Sequence, residues 1–376
     1  MPRCFLFFGD IMGFKCGIVG LPNVGKSTIF NAITNAGAES ANYPFCTIDP
    51  NVGMVNVPDL RFDKLVGSYK PRSIVPTVTQ FVDIAGLVKG ASQGEGLGNQ
   101  FLTHIRECEA IMEVVRCFDD ENIVHVHGSV DPLRDVEIIE TELLLKDMDS
   151  VEKRLVVENK NARVGTPASK LRLEACEKLK NAMSEGIPVR RLLGQDEVLD
   201  EVISDLALLT AKPIFYCANV NEQDMLKGNA YVDTLREYAE KHNSSVVILC
   251  GKIEEELSAL EPDEKVEFLK ELGLVESGLD AVIRKGYSLL GLRTYFTAGE
   301  KEVRAWTFEA GWKAPACAGV IHSDFERGFI RAETLSFADF EKYGSWNAAK
   351  EAGLVRTEGK EYEVQDGDIM YFLFNV

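Results

Sequence analysis

Gly20-Leu21-Pro22-Asn23-Val24-Gly25-Lys26-Ser27 decides the fold. The octet matches G-x-x-x-x-G-K-[ST], and its flanks give the match its meaning. An apolar run, Lys15–Gly20, precedes it, and a helical pattern from Thr28 to Ala36 follows. A glycine-rich loop between a strand and a helix is the setting of a P-loop. Its glycines let backbone N–H groups wrap a phosphate, and the helix N-terminus adds partial positive charge. In that geometry Lys26 reaches the β- and γ-phosphates and the Ser27 hydroxyl binds Mg²⁺.

Working outward, Asp83-Ile84-Ala85-Gly86 ends the apolar run Val78–Asp83. A carboxylate there holds the Mg²⁺ shell, and the Gly86 N–H meets the γ-phosphate. Gly90, Gly94, Gly96 and Gly98 follow, a composition suited to a loop that reorders with the γ-phosphate. Thr47 lies between the two motifs and can supply a second hydroxyl to Mg²⁺. Further on, Asn219-Val220-Asn221-Glu222 follows another apolar run, Pro213–Ala218, beyond whose C-terminal end a base would lie. Runs at Gly53–Val57, Ile111–Cys117 and Val246–Cys250 complete the strands expected of an α/β sheet.

The stretch between Asp83 and Asn219 is longer than two strand–helix–strand crossovers require. Leu144, Met148, Val151 and Leu155 form one helical stripe; Leu171, Ala175, Leu179 and Ala182 form another. Gly165-Thr166-Pro167 breaks the chain between them, so the surplus reads as an inserted helical hairpin, residues 136–205 of a P-loop domain spanning 12–290. From residue 291 to 376 short β-like runs take over: Val303–Phe308, Gly328–Ala332, Glu361–Val364 and Ile369–Phe374. Gln365-Asp366-Gly367-Asp368 reads as a tight turn between the last two. At the other end, Met12 stands just before the first strong strand, and residues 1–11 read as an extension preceding the start.

Composition narrows the classes. The 376 residues carry a net charge of −18, which repels nucleic acid except at a local basic patch. Residues 151–193 form such a patch, with ten Lys/Arg against five Asp/Glu, and Lys160, Arg163 and Lys170 flank the hairpin turn. Residues 291–376 hold ten basic and fourteen acidic residues, a poorer electrostatic footprint. Nine scattered cysteines without a C-x-x-C pair argue against a disulfide framework or a zinc site and suit a reducing cytosol. His125 and His127 lack a third ligand nearby. No apolar run approaches the ~20 residues of a membrane span.

GLPNVGKST, NYPFCTIDPN, DIAGLVKGASQGEGLGNQFL, NVNE, LRTYFTAGEKEVRAW and DFERGFIRAE together resemble the YchF (Obg-like ATPase) family, from about Met12 to Val376. The resemblance implies a Ras-like P-loop domain of the α/β class, an inserted coiled-coil hairpin and a small C-terminal α+β TGS domain of ubiquitin-like fold. It implies that Asn23, Val24, Gly25, Lys26, Ser27 and Thr28 bind the triphosphate, with Ser27 and Thr47 on Mg²⁺. It implies ATP hydrolysis in a cytoplasmic setting with the ribosome as partner, its large subunit and rRNA being the expected contact; neither membrane nor DNA is expected. In relatives a histidine suggested as catalytic stands on the strand where this chain has Glu113.

Two departures from GTPases set the finer expectations. N-K-x-D holds guanine, but here Val220 replaces Lys and Glu222 replaces Asp, so Asn219, Val220 and Glu222 should favour ATP, with GTP weaker. Leu87 stands where Ras-type enzymes place a water-orienting Gln, so intrinsic turnover should be slow. By resemblance to other G-x-x-N-x-G-K-S enzymes, Asn23 can help hold K⁺ against the phosphates. On this reading Lys26, Asp83 and Gly86 carry the catalysis of a hydrolase cycling between nucleotide states. The alternatives are a nucleotide-gated ribosome or RNA adaptor with hydrolysis as a slow timer, and a stress or redox regulator acting through Cys46.

Overall fold

The computed structural model describes residues 12–37, 51–84, 104–163 and 165–375. Residues 1–11, Cys46, Thr47, Gly86 and Leu87 lie outside the described residues, as does the glycine-rich stretch 90–98. Twelve strands occur among the described residues: β1 Met12–Val19, β2 Val52–Asn56, β3 Ser73–Val75, β4 Val78–Asp83, β5 Ala110–Arg116, β6 Ile214–Asn219, β7 Val246–Leu249, β8 Leu292–Ala298, β9 Glu302–Glu309, β10 Phe329–Ser336, β11 Arg356–Glu358 and β12 Asp368–Phe374. They form two six-stranded sheets, ordered β2-β4-β1-β5-β6-β7 and β11-β10-β12-β8-β9-β3. The described parts of Lys15–Gly53 and Phe81–Val282 make one compact unit; those of Met54–Gln80 and Ile283–Val376 belong to the other.

In the first unit β1, β5, β6 and β7 run parallel. Every residue of β5 and β6 is buried, as strands covered on both faces must be. The helices used below are α1 Lys26–Gly37, α2 Leu60–Tyr69, α3 Pro132–Ala162, α4 Pro167–Ser184, α5 Glu197–Leu206, α6 Ala230–Lys241, α7 Gly251–Ser258, α8 Pro262–Glu271 and α9 Gly278–Leu289.

The hairpin is α3 and α4. Asp131 caps α3 through the Arg134 N–H at 3.2 Å, and Pro132 opens its first turn. Gly165 turns the chain at φ +85°, a conformation open to glycine, and Thr166 then caps α4 on the Ser169 N–H at 3.2 Å. Leu144, Met148, Val151 and Leu155 pack against Ala175, Leu179 and Ala182, with Leu199, Val202 and Ile203 of α5 closing the core. Leu171 does not join them; it is 49% exposed. Seven residues before Leu179 stands Arg172, which takes the inward position and meets Glu158 of α3 at 3.5 Å.

The second unit is a mixed sheet. β10 and β12 pair antiparallel, as do β8 and β9, while β12–β8 and β3–β9 are parallel. One face packs Tyr295, Phe308, Cys317 and Phe372; the other packs Phe62 and Leu65 of α2 with Phe296, Leu335 and Ile369. The run Glu361–Val364 is not the expected strand. It is a turn with a single bridge between Glu363 and Lys313, and the strand is the polar edge Arg356–Glu358 instead. The tight turn at Gln365–Asp368 forms, closed by the Asp368 N–H on the Gln365 carbonyl at 3.1 Å with Gly367 at φ +88°. Arg61 of α2 anchors it through Asp366 at 2.8 Å.

Candidate nucleotide site

A cavity of about 1400 Å³ opens at the C-terminal end of the parallel sheet, where ligands of open α/β sheets bind. Its phosphate end is built from the loop between β1 and α1. Gly25 adopts φ +97°, and a Cβ there would sit 2.1 Å from Asn219 Nδ2, so only glycine fits. Asn23 is also left-handed, at φ +63°. The Ile29 N–H bonds the Gly25 carbonyl at 3.0 Å and begins the helical ladder, so the free N–H groups of α1 face the cavity. Lys26 forms an ion pair with Asp83 at the end of β4, and Ser27 and Thr28 line the same wall.

Asn219 locks this end to the next strand. Its Nδ2 donates to the Val24 carbonyl at 2.9 Å, and its Oδ1 accepts from the Gly251 N–H at 3.0 Å. Both halves of the amide are thereby committed to shaping the cavity. Val24 is buried, and its carbonyl is held by that bond. Val220 lines the cavity at 2% exposure, and Glu222 opens a short 3₁₀ turn and is exposed. Thus Asn23, Gly25, Lys26, Ser27, Thr28, Asp83, Asn219, Val220 and Glu222 converge on one cavity. Thr47, Gly86 and Leu87 fall outside the described residues.

Several lining residues have no motif in the sequence. Phe118 and Ile123 come from the loop after β5; Met225 and Leu226 follow the Glu222 turn; Leu272 and Leu274 follow α8. Cys250-Gly251-Lys252 sits at the β7–α7 junction, and a strand running straight into a helix is the one available signal there.

Glu113, His125 and His127 stand elsewhere. Glu113 on β5 is 1% exposed and does not line the cavity; burial, reinforced by the nearby Glu140 carboxylate, pushes its carboxyl well above the usual range. One of its oxygens has no hydrogen-bond partner among the described residues. His125 and His127 lie in an irregular loop rather than a strand. The His127 N–H donates to His125 Nδ1 at 3.2 Å, so His125 faces Asp135 through Nε2 at 2.9 Å. The seven described cysteines are buried, and burial raises every thiol, Cys108 and Cys117 to about 12. No described helix is long and apolar enough to cross a membrane.

Comparison with known proteins gives two family matches. Residues 15–160 match MMR_HSR1, described as 50S ribosome-binding GTPase, and residues 292–375 match YchF-GTPase_C, described as a protein of unknown function (DUF933). The Ribosome-binding ATPase YchF of Bacillus subtilis strain 168 is 57% identical over 97% of this chain and the whole of the relative. That of Escherichia coli O157:H7 is 56% identical with the same coverage. The solved Schizosaccharomyces pombe YchF GTPase superposes with a TM-score of 0.85 at 43% identity, over 97% of this chain and 98% of that one.

Proposed function

The chain belongs to the YchF family, and from that premise we propose that it is a ribosome-associated, Mg²⁺-dependent nucleoside triphosphatase that favours ATP over GTP. The observation that carries this reading is one cavity in which Lys26, Ser27 and Asp83 face the strand-end residues Asn219, Val220 and Glu222.

Ser27 and Asp83 supply a hydroxyl and a carboxylate, the hard oxygen donors Mg²⁺ takes when phosphate and water complete its shell. No three His, Cys, Asp or Glu gather into a metal cage among the described residues, which fits an ion shared with the nucleotide. When bound, the ion neutralises charge on the β- and γ-phosphates. Lys26 exchanges its Asp83 partner for phosphate oxygens, and the α1 N-terminus adds N–H donors. Glu113 is buried away from the cavity and cannot orient water, which with Leu87 supports slow intrinsic hydrolysis. Asn23 lines the cavity and can help hold K⁺ there, and turnover is then faster in KCl than in NaCl at equal ionic strength.

Base preference rests on the opposite end. Val220 cannot cover a base with a long stem, and Glu222 is exposed on its turn. Met225, Leu226, Leu272 and Leu274 offer apolar surface on which a base can stack. Equilibrium titration of Mg-ATP against Mg-GTP tests the reading: ATP binds at least ~10-fold tighter, about 1.4 kcal/mol. Equal or tighter GTP binding overturns it.

The hairpin tip is the surface for ribosome association. Lys160, Arg163 and Lys170 are exposed and have no ion-pair partner among the described residues. Further down, Arg154 pairs with Glu158, Arg172 with Asp205 and Lys180 with Glu152. The tip therefore offers unspent positive charge to rRNA phosphates in a chain whose net charge is −18. The expected contact lies on the large subunit.

A further inference from the structure

Arg116 ends β5 with its guanidinium inside the protein; the residue is 2% exposed. It has no ion-pair partner among the described residues. All three of its nitrogens instead donate to backbone carbonyls of the loop that follows: Nε to Phe118 at 3.0 Å, Nη1 to Ile123 at 2.8 Å and Nη2 to Asp120 at 3.2 Å. The same guanidinium lies 4.7 Å from the centre of the Phe118 ring. Burying a cation is costly unless its donors are satisfied, and an apolar side chain would fill this strand-end position without that cost. What the cation adds is a fixed shape for residues 118–123, which form no helix or strand.

That shape reaches the P-loop. Phe118, Asp120 and Ile123 line the cavity, and the next carbonyl, that of Val124, accepts the Asn23 side-chain amide at 3.1 Å. Asn23 is the exposed, left-handed residue of the phosphate loop. The connection therefore runs from a buried cation, through a loop held by its carbonyls, to a side chain at the triphosphate end.

We infer that Arg116 is a positioning residue for nucleotide binding: from beneath the cavity it fixes the Phe118–Val124 loop, and through the Val124 carbonyl it sets the orientation of Asn23. The inference rests on the cavity being the nucleotide site. Arg116 touches no substrate; it acts through the loop.

The test is a double-mutant cycle in the full chain, read by Mg-ATP affinity, with Arg116→Met, Asn23→Gly and the double variant. Glycine keeps the left-handed backbone of Asn23 and removes only its side chain. Arg116→Met should weaken binding by roughly 10-fold, and the double variant should be no more than about twofold weaker than the worse single, because both break the same connection. Additive losses, or wild-type affinity in Arg116→Met, overturn the inference. Arg116→Lys, which keeps the charge but not the three-carbonyl fork, should fall between wild type and Met. Hydrogen exchange in Asn23→Gly is a second measurement that does not depend on folding of the Arg116 variants. Amides of residues 118–124 should exchange faster than in wild type, and unchanged protection overturns the link. Wild-type chain that binds no Mg-nucleotide would instead overturn the reading of the cavity itself.

Discussion

The two ends of the cavity are made in different ways. Among the described residues the phosphate end comes mainly from one contiguous stretch, Asn23 to Thr28, with Asp83 facing it. The base end is gathered from the β5 loop, the segment after β6, the β7–α7 junction and the segment after α8. Phosphate is the same in every nucleotide, so one loop of backbone N–H groups serves it, and the spacing of that loop cannot vary. A base is recognised by side chains of particular shape, which any nearby loop can supply. The chemistry is thus concentrated at one end and the selectivity is dispersed at the other.

Breaking the concentrated end should have the largest effect. Lys26→Ala removes the ammonium that faces Asp83 and leaves that carboxylate uncompensated, and steady-state kcat/KM for ATP should fall by at least ~10²-fold. Charge reversal at the hairpin tip sharpens the comparison by moving neither end. Lys160→Glu, Arg163→Glu and Lys170→Glu together should weaken ribosome co-sedimentation ~10-fold or more, with the salt slope shallower by about 0.7–0.9 for each phosphate no longer neutralised. Nucleotide affinity should be unchanged; unaltered co-sedimentation would move the ribosome-binding surface off the tip. At the dispersed end, Val220→Lys with Glu222→Asp restores the guanine-type pattern and should shift the ATP:GTP affinity ratio towards GTP by ~10-fold. A ratio that does not move would place selectivity in the apolar wall instead.

The smallest effect concerns the scaffold behind the base end. Glu254 of α7 is 3% exposed and accepts the Gly278 N–H at 2.8 Å, at the start of α9. Burial raises its carboxyl to about 7, with Asp280 adding to the rise and the Gly278 and Leu279 N–H groups opposing it. The folded value lies above the unfolded one, so this contribution to stability is full below the ordinary carboxylate range and is lost as pH rises through about 7. Glu254→Gln should match wild type in melting temperature near pH 5 and exceed it near pH 8, a modest difference that thermal melts at both values can resolve. A wild type that melts higher than the variant at the upper pH would reverse the assignment.

How far the sequence can be read follows the same division. The strand–loop–helix at Gly20–Ser27, the central strands and the hairpin stripes are local patterns, visible through spacing alone. The pairing of Ser73–Val75 with Glu302–Arg304 is not, because a three-residue strand has no period and its partner lies at the far end of the chain. Arg356–Glu358 escapes a hydropathy reading because an edge strand needs no apolar face, while Tyr362 and Val364 imitate the alternation of one. Leu171 stays outside the hairpin core while its neighbour Arg172 meets the buried Glu158 carboxylate, a contact no hydropathy pattern registers. Arg116 reads as the polar end of a strand, and only the fold brings three carbonyls around it.

The mixed sheet takes Phe62 and Leu65 into its core and Ser73–Val75 onto its edge, although its other strands begin at Leu292. During synthesis α2 and β3 therefore leave the ribosome long before the surface that will cover them exists. The nascent chain must carry an amphipathic helix and an unpaired strand edge past residues 81–282 before either can be put away, and such segments invite mispairing while they wait. The strands from Leu292 onward are what finally cover Phe62, Leu65 and Ser73–Val75.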